Sequence, residues 1–229
     1  MFDAEDTWVE IGHRQRNHGE DDSLWVAWNR TRSLIQFEDV KRSILQIRNG
    51  DPEILDAKVQ FKIRRVGCNW QDPDIALHRL NRAFDEDEAT WECSDIDEYE
   101  ACRQWRMIGL PPNVEPVYDT EATGVHQLTV GQIGYLEFNV TNDIINYMYQ
   151  PYDLTVGYLL KKVCEHGPGC ASFTSCEGGE CPKLLVKVKT YCPKPTPEEE
   201  ELPCPDPVIS RWNWDAKKTI QEYQRETYA

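Results

Sequence analysis

The residues DAEDTWVEIGHRQRNHGEDDSLWVAWNRTRSLIQFED, Asp3 to Asp39, contain three short runs rich in aromatic and β-branched residues. These runs are DTWVEI, SLWVAW and SLIQF, and polar residues stand between them. Apolar residues that alternate with polar ones are typical of β-strands, whereas the intervening RQRNHGEDD, with its Asn17-His18-Gly19, is typical of a loop that contains a turn. The stretch therefore predicts the antiparallel strands with which a β-sandwich begins.

The composition argues against two classes of partner. The chain has 229 residues, 40% of them hydrophobic, and eight tryptophans, which is enough for one large β domain with a substantial core. The formal net charge is −15 at pH 7, and no basic patch is apparent. Phosphate backbones and anionic membrane surfaces repel such a chain. We therefore expect no nucleic-acid partner and no membrane insertion, since no run is long enough to span a bilayer either.

The chain has nine cysteines, and six of them cluster in two segments that are predicted to be loops. Cys93 and Cys102 flank an acidic stretch, and a glycine-rich segment holds four more: Cys164, Cys170, Cys176 and Cys181. Such clustering predicts disulfides. Zinc ligation by the four thiols and His166 is the alternative, although their spacing contains no CxxC pair.

The N-terminus, MFDAEDTWVEIG, has neither the basic nor the apolar region of a signal peptide. Cysteines that form disulfides nevertheless indicate an oxidising environment. A virion protein made in a reducing cytoplasm and released by lysis reconciles the two observations. We therefore expect a virion surface or another extracellular location.

Four later segments alternate as strands do. They are Ala57–Ile63, Tyr135–Val140, Tyr152–Leu160 and Leu184–Val188. After the third of the opening runs, Glu38 to Pro52 is interpreted as a connection that ends in a turn. The stretch from Cys93 to Cys102 is interpreted as an irregular loop, and the cysteine-rich segment as a loop that interrupts the strands.

Two segments have helical features. Thr141 is expected to cap a short helix whose apolar residues share one face: Ile144, Ile145 and Met148. The sequence DIALHRLNRAF, residues 74–84, fits both a helical stripe and alternation, and propensity alone favours a helix there.

The composition changes sharply after Tyr191. The sequence CPKPTPEEEELPCPDP is rich in proline and glutamate, which predicts an extended linker over residues 192–207. The tail that follows, residues 208–229, is too apolar to be merely a chain end that is exposed to solvent. We expect it to dock on a neighbouring protein subunit through Trp212, Trp214, Ile220 and Tyr223.

Several motifs follow one another in an order that resembles a known family. The opening order is Asp6-Thr7-Trp8-Val9, Asn17-His18-Gly19, Leu24-Trp25-Val26 and Arg32-Ser33-Leu34-Ile35-Gln36-Phe37. The later motifs are Asp56-Ala57-Lys58-Val59, Glu88-Ala89-Thr90-Trp91, Phe138-Asn139-Val140-Thr141, Gly157-Tyr158-Leu159-Leu160, Phe173-Thr174-Ser175-Cys176-Glu177 and Pro182-Lys183-Leu184-Leu185-Val186. Together they resemble the DNRLRE domain, which is similar to carbohydrate-binding module family 96.

The resemblance covers about Asp3 to Tyr191 and implies a jelly-roll-like antiparallel β-sandwich with a short helix over residues 1–191. It also implies that Ile75 to Phe84 is a strand rather than a helix. This chain departs from the family's pattern in its cysteine-rich insertions, its acidic linker and its aromatic tail.

Two kinds of binding residue are candidates. Aromatic rings stack on sugar rings, so Trp25, Trp70 and Trp105, with Trp28 beside them, are candidate glycan contacts, although most such tryptophans belong to the core. The run Asp85, Glu86, Asp87 and Glu88 offers carboxylates for calcium, although a charge run is usually a solvated turn.

No catalytic constellation is recognisable, because the five histidines have no spacing that pairs one of them with a nucleophile. We expect a non-catalytic structural or adhesive subunit on the outside of an assembly such as a virion, anchored by its tail and possessing a surface for glycans. One alternative is a secreted carbohydrate-binding module. Another is an extracellular filament subunit whose tail adds a strand to the next copy.

Overall fold

The computed structural model describes residues 4–28, 30–46, 52–67, 69–70, 74–96, 101–104, 117–150, 155–189 and, as backbone, 209–214. The strands are β1 (Ala4–Glu10), β2 (Ser23–Ala27), β3 (Thr31–Phe37), β4 (Glu53–Val66), β5 (Asp74–Arg79), β6 (Cys93–Ile96), β7 (Cys102–Gln104), β8 (Gly124–Gln127), β9 (Gly134–Asn139), β10 (Val156–Lys162), β11 (Cys170–Thr174), β12 (Lys183–Lys189) and β13 (Ile209–Trp214). The helices are a 3-10 turn (Ile11–His13), α1 (Val40–Gln46) and α2 (Thr141–Met148). Neither α1 nor α2 is long and apolar enough to cross a membrane.

Eleven of the described strands form one large antiparallel sheet that is nearly closed, and β6 and β7 form a separate two-stranded sheet, so the protein is an all-β sandwich with short helices. The order along the sheet is β13-β12-β4-β11-β2-β3-β10-β5-β8, with β1 added to β3 and β9 added to β4. The pairing register shifts in two places where β11 and β12 meet β4, between Ser172 and Phe173 and between Lys187 and Val188. Such bulges increase the local twist and help a sheet to curve.

Two apolar clusters hold the sandwich together. The larger one lies inside the curved sheet, where the ring of Phe61 meets Phe138 edge-on and packs against Phe173. The smaller one covers the outer face of β3 and includes Leu34 and Trp91. Because both faces of β3 are covered, all seven of its residues are buried, and its sequence alternates less clearly than that of β4.

A buried ion pair belongs to the same outer face. Arg32 on β3 donates two hydrogen bonds to the carboxylate of Glu165, from Nε at 2.7 Å and from Nη2 at 2.9 Å. Its guanidinium also lies over the ring of Trp91, 5.0 Å from the centroid. Burial raises the pKa of Glu165, but the hydrogen bond and charge of Arg32 outweigh burial and hold that pKa below its usual range.

The strands of the opening stretch are confirmed as β1, β2 and β3, and the strand interpretation of the ambiguous segment is confirmed over β5. The four alternating segments are confirmed as β4, β9, β10 and β12. In β4, β9 and β12 the apolar residues meet the core and alternate with more exposed residues, as alternation predicts, whereas β10 is buried on both faces.

Three interpretations of connections are wrong. Val40 and Ile44 within the expected connection are buried one helical turn apart, and this shared face makes α1. The irregular loop at Cys93 is instead a hairpin of β6 and β7. The cysteine-rich loop contains β11, which lies between β2 and β4, and its small and polar residues are buried without any apolar alternation.

Thr141 begins α2 but does not cap it through its side chain. Its hydroxyl accepts a hydrogen bond from the backbone N–H of Ala57 at 2.9 Å and so ties the helix to β4 instead. Two of the three expected residues face the core, since Ile144 is buried and Met148 packs against the core, while Tyr147 rather than Ile145 completes the buried face.

The tail is partly described. β13 pairs antiparallel with β12 of the same chain, with Val186 opposite Trp212 and Lys187 opposite Arg211. It forms the end of the sheet beyond β12. The predicted linker, residues 192–207, lies outside the described residues, as do Ile220 and Tyr223.

Candidate functional site

Three carboxylates from distant parts of the chain converge at one place. Asp6 lies on β1, Glu86 lies in the turn that follows β5, and Glu177 lies in the loop that follows β11. One oxygen from each carboxylate lies within 4.8 Å of the other two. Among the described residues, this is the group whose acidic side chains are close enough to share a metal ion.

Asp6 is the buried member of this carboxylate cluster, and its side chain is only 1% exposed. Its Oδ2 accepts a hydrogen bond from the backbone N–H of Cys176 at 3.0 Å, and its own N–H donates to Oε1 of Glu86 at 3.0 Å. Its Oδ1 is buried and has no hydrogen-bond partner. A buried oxygen without a partner is costly, and one that is charged is more so.

The turn of Glu86 is held by the Asn17-His18-Gly19 motif of the opening stretch. Nδ2 of Asn17 donates to the backbone oxygens of Glu86 at 2.7 Å and of Ala89 at 2.9 Å. Gly19 packs directly beneath, because a Cβ built there would lie 2.4 Å from the backbone oxygen of Glu86. The motif predicted as a simple turn therefore positions a carboxylate.

The loop of Glu177 is closed by the disulfide between Cys176 and Cys181. The hydroxyl of Ser175 donates to the backbone oxygen of Asp21 at 2.6 Å and accepts from the N–H of Gly178 at 3.1 Å. Glu177 itself is exposed, so the carboxylate cluster is buried on the side of Asp6 and open to solvent on the side of Glu177.

The three charges disfavour one another. Burial raises the pKa of Asp6 well above its ordinary value, and the charges of Glu86 and Glu177 add to that effect. Burial likewise raises the pKa of Glu86 to about 8, with further contributions from Glu177, Glu5 and Asp87. The carboxylate cluster therefore holds more negative charge than its surroundings stabilise, and it attracts either protons or a cation.

The acidic run contributes one residue to the carboxylate cluster, not four. Asp85 accepts a hydrogen bond from the N–H of Asp87 at 3.0 Å and so closes the turn on itself. Glu88 accepts from the N–H of Ile96 at 2.7 Å, at the end of β6. Of the four residues of the run, Glu86 alone belongs to the group with metal-binding geometry.

The candidate tryptophans have different environments. Trp70 is 7% exposed and its ring is covered by Lys162, whose Nζ lies 4.4 Å from the ring centroid, so its proposed role in glycan stacking is wrong. Trp25 is half-buried on β2, and Trp28 just after β2 is 55% exposed. Trp105 lies outside the described residues.

Of the six predicted disulfide cysteines, four form disulfides. The pairs are Cys93–Cys102 and Cys176–Cys181. Cys164 and Cys170 are free thiols, so the prediction is wrong for these two. Disulfides persist in oxidising compartments, so the two bridges indicate an extracellular environment.

A polar concavity lies between the residues that precede β8 and the start of α2. Its acidic groups are Asp119, Glu121 and Asp143, and Oδ2 of Asp143 accepts a hydrogen bond from Thr123 at 2.9 Å. Burial raises the pKa of Asp143. This concavity lacks the shared-ligand geometry of the carboxylate cluster at Asp6.

Two of the three clustered carboxylates, Asp6 and Glu177, were not predicted as site residues. Both lie in the motifs that carry the family resemblance, at the start of the first and at the end of the fifth later one. A single acidic residue within a strand or loop motif does not reveal its partners. Only the fold brings the two motifs together.

No protein-family model matches the chain, and no curated protein matches it in sequence. The resemblance to the DNRLRE domain therefore remains a prediction that rests on the motifs themselves.

Proposed function

We propose that the protein is a non-catalytic structural or adhesive subunit on the outside of an assembly such as a virion, anchored by exchange of its C-terminal strand β13. The observation that carries this proposal is the pairing of β13 with the edge of β12 after a long proline- and glutamate-rich connection. Strand addition of this kind joins subunits in several extracellular assemblies.

The length of the connection supports exchange between copies. β12 ends at Lys189 and β13 begins at Ile209, whereas an antiparallel hairpin needs only about 2–5 loop residues. A chain spans at most about 3.3–3.6 Å per residue, so the connecting segment is long enough to reach a neighbouring subunit. Its composition favours an extended conformation.

The edge of β12 suits such a partner. Leu184, Val186 and Val188 are buried on one side of β12, and their neighbours along the strand point outward. Without β13, a row of backbone N–H and C=O groups would be unpaired at this edge. A β13 strand from another copy would satisfy the same groups in the same register.

Two buried histidines support a non-catalytic role. His18 stacks on Trp8 and bonds to Asp21, and His78 bonds to the backbone oxygen of Asp119 at 2.8 Å. Each ring is thus held by structural contacts. The exposed ring of Trp28 is suited to stack on a sugar, which supports an adhesive surface.

Truncation tests the proposal. We expect the full chain to form oligomers at micromolar concentration, measured by light scattering after size exclusion and by native mass spectrometry. Deletion of residues 208–229 should leave a folded monomer, because no copy then has a β13 strand to add to the β12 edge of its neighbour.

The matched control is deletion of residues 215–229, which keeps β13 and should keep the oligomers. A full chain that stays monomeric under these conditions, or a 208–229 deletion that assembles normally, would contradict the proposal. A glycan array with the full chain and with Trp28→Ala separately tests the adhesive surface.

A further inference from the structure

We propose that the carboxylate cluster of Asp6, Glu86 and Glu177 is a calcium site. The ion would bridge β1, the turn after β5 and the loop after β11. This site is separate from the β13 edge, and calcium binding there would not depend on the assembly role.

The spacing of the oxygens fits one shared ion. Calcium–oxygen distances are about 2.3–2.6 Å, so two oxygens on opposite sides of one ion lie about 4.6–5.2 Å apart. The three candidate oxygens lie within 4.8 Å of one another. Their mutual distances are therefore compatible with one shared ion.

The second observation is the unpartnered Oδ1 of Asp6. This oxygen is buried, and the other carboxylate oxygen is already held by the N–H of Cys176. A buried polar atom without a partner costs stability, and a cation bound there would supply the missing interaction. The two positive charges of the same ion would offset most of the three neighbouring negative charges.

The chemistry of the ligands favours calcium among common ions. All three donors are carboxylate oxygens, which suit hard cations rather than zinc or copper. Calcium accepts six to eight oxygen ligands in flexible geometry, so it tolerates ligands that come from one strand and two loops. The exposed side at Glu177 leaves room for water to complete the coordination.

The surrounding structure holds the donors in place before an ion arrives. Asn17 bonds to the turn of Glu86, and the Cys176–Cys181 disulfide closes the loop of Glu177. A site assembled in advance loses less conformational entropy when it binds its ligand. Calcium should therefore stabilise the folded chain rather than create its structure.

Calorimetry with calcium alone tests the site. The full chain is first treated with a chelator and dialysed, then titrated with CaCl₂ by isothermal titration calorimetry. We expect one site with Kd of about 10⁻³ M or tighter, the range of extracellular calcium modules. At a calcium concentration about a hundredfold above Kd, thermal unfolding should move upward by about 5–10 °C.

Glu177→Gln is the informative variant, because Glu177 is exposed and its replacement leaves the core intact. It should weaken calcium binding by about tenfold or more, since the number of ligand charges sets the affinity. Asp87→Asn is the matched control, because it removes one charge from the neighbouring run but no candidate ligand. It should bind calcium as the unmodified chain does.

Three results would overturn the proposal. One is the absence of both heat and thermal shift with calcium. A second is equal weakening by Asp87→Asn and Glu177→Gln, which would indicate diffuse attraction to the acidic run. The third is stabilisation of the calcium-free chain by Glu177→Gln with no response to calcium, which would mean that the carboxylates share protons instead.

Discussion

His18 shows how one residue of the opening stretch is held by its surroundings. Its ring stacks on Trp8 with 3.5 Å between the centroids, and Nδ1 lies 2.8 Å from Oδ2 of Asp21. The ring is 4% exposed, and Nε2 is buried without a hydrogen-bond partner. The geometry fits a neutral ring that donates from Nδ1.

Burial lowers the pKa of His18 below its ordinary value of 6.5, although the hydrogen bond to Asp21 opposes that shift. In the unfolded chain the ring takes up a proton near pH 6.5, whereas in the folded chain it does so only at lower pH. Between these two pKa values the unfolded state binds more protons. The contribution of His18 to stability is therefore fully present above pH 6.5 and declines as the pH falls.

We expect His18→Gln to lose this part of the pH dependence. The free energy of unfolding, measured by urea titration from pH 7.5 to 5, should fall less steeply in the variant than in the parent chain. The difference in slope is at most about 1.4 kcal/mol per pH unit, the limit for one proton.

The comparison between the two chains isolates His18, because the raised pKa values of Asp6 and Glu86 act in the opposite direction in both. Parallel pH profiles for the parent and His18→Gln would show that the ring titrates normally in the folded state.

At the scale of single elements, the turn at Asn17 to Gly19 links two parts of the sandwich that are distant in sequence. Oδ1 of Asn17 accepts a hydrogen bond from the N–H of Gly19 at 2.9 Å, and Nδ2 of Asn17 donates one to the backbone oxygen of Glu86. Glycine at position 19 lets the two turns touch, because its missing Cβ leaves room for a backbone oxygen.

We expect Gly19→Ala to push the two turns apart. The added methyl group would meet the backbone oxygen of Glu86 at 2.4 Å, and a rigid backbone cannot yield as a flexible side chain can. The substitution should lower the free energy of unfolding by about 1–3 kcal/mol, as overpacking does in a close-packed site. Chemical denaturation measures the change.

Glu20→Ala is the control for Gly19→Ala, because Glu20 is the exposed neighbour in the same turn. It should leave stability within about 0.5 kcal/mol of the parent, as surface substitutions usually do. Equal stability of Gly19→Ala and the parent would mean that the turns separate at no cost.

Strands with one face on the core were predictable from their alternation, and β3, which is buried on both faces, was predictable from its run of apolar residues. β4 alternates because its polar residues meet solvent, so its pattern was clear. β11 has buried residues on both faces and contains Ser172 and Thr174, so its sequence resembled a loop. α1 was missed because only Val40 and Ile44 mark its buried face.

The candidate site could not be predicted from the sequence, because it depends on contacts between distant parts of the chain. Asp6 meets Glu86 across 80 residues of sequence and Cys176 across 170. Both partners lie in loops that the fold brings against β1, and no local pattern encodes them. The sequence did mark the acidic run, but the fold decided that only Glu86 of that run faces Asp6.

At the scale of the assembly, strand exchange predicts which chains a cross-link joins. Lys187 on β12 lies opposite Arg211 on β13. Opposed residues of an antiparallel pair have Cα atoms about 4.5–5.5 Å apart, which is within the range that a disulfide spans. We therefore expect Lys187→Cys combined with Arg211→Cys to form a disulfide between β12 and β13.

In oligomers formed by exchange, that disulfide joins different copies, so oxidised samples should run as a ladder on non-reducing gels and collapse to one band with reductant. The single variants Lys187→Cys and Arg211→Cys control for the free thiol at Cys164, and neither should give the ladder. A double variant that yields only internally cross-linked monomers would mean that β13 stays on the sheet of its own chain. Assembly would then have to use another surface.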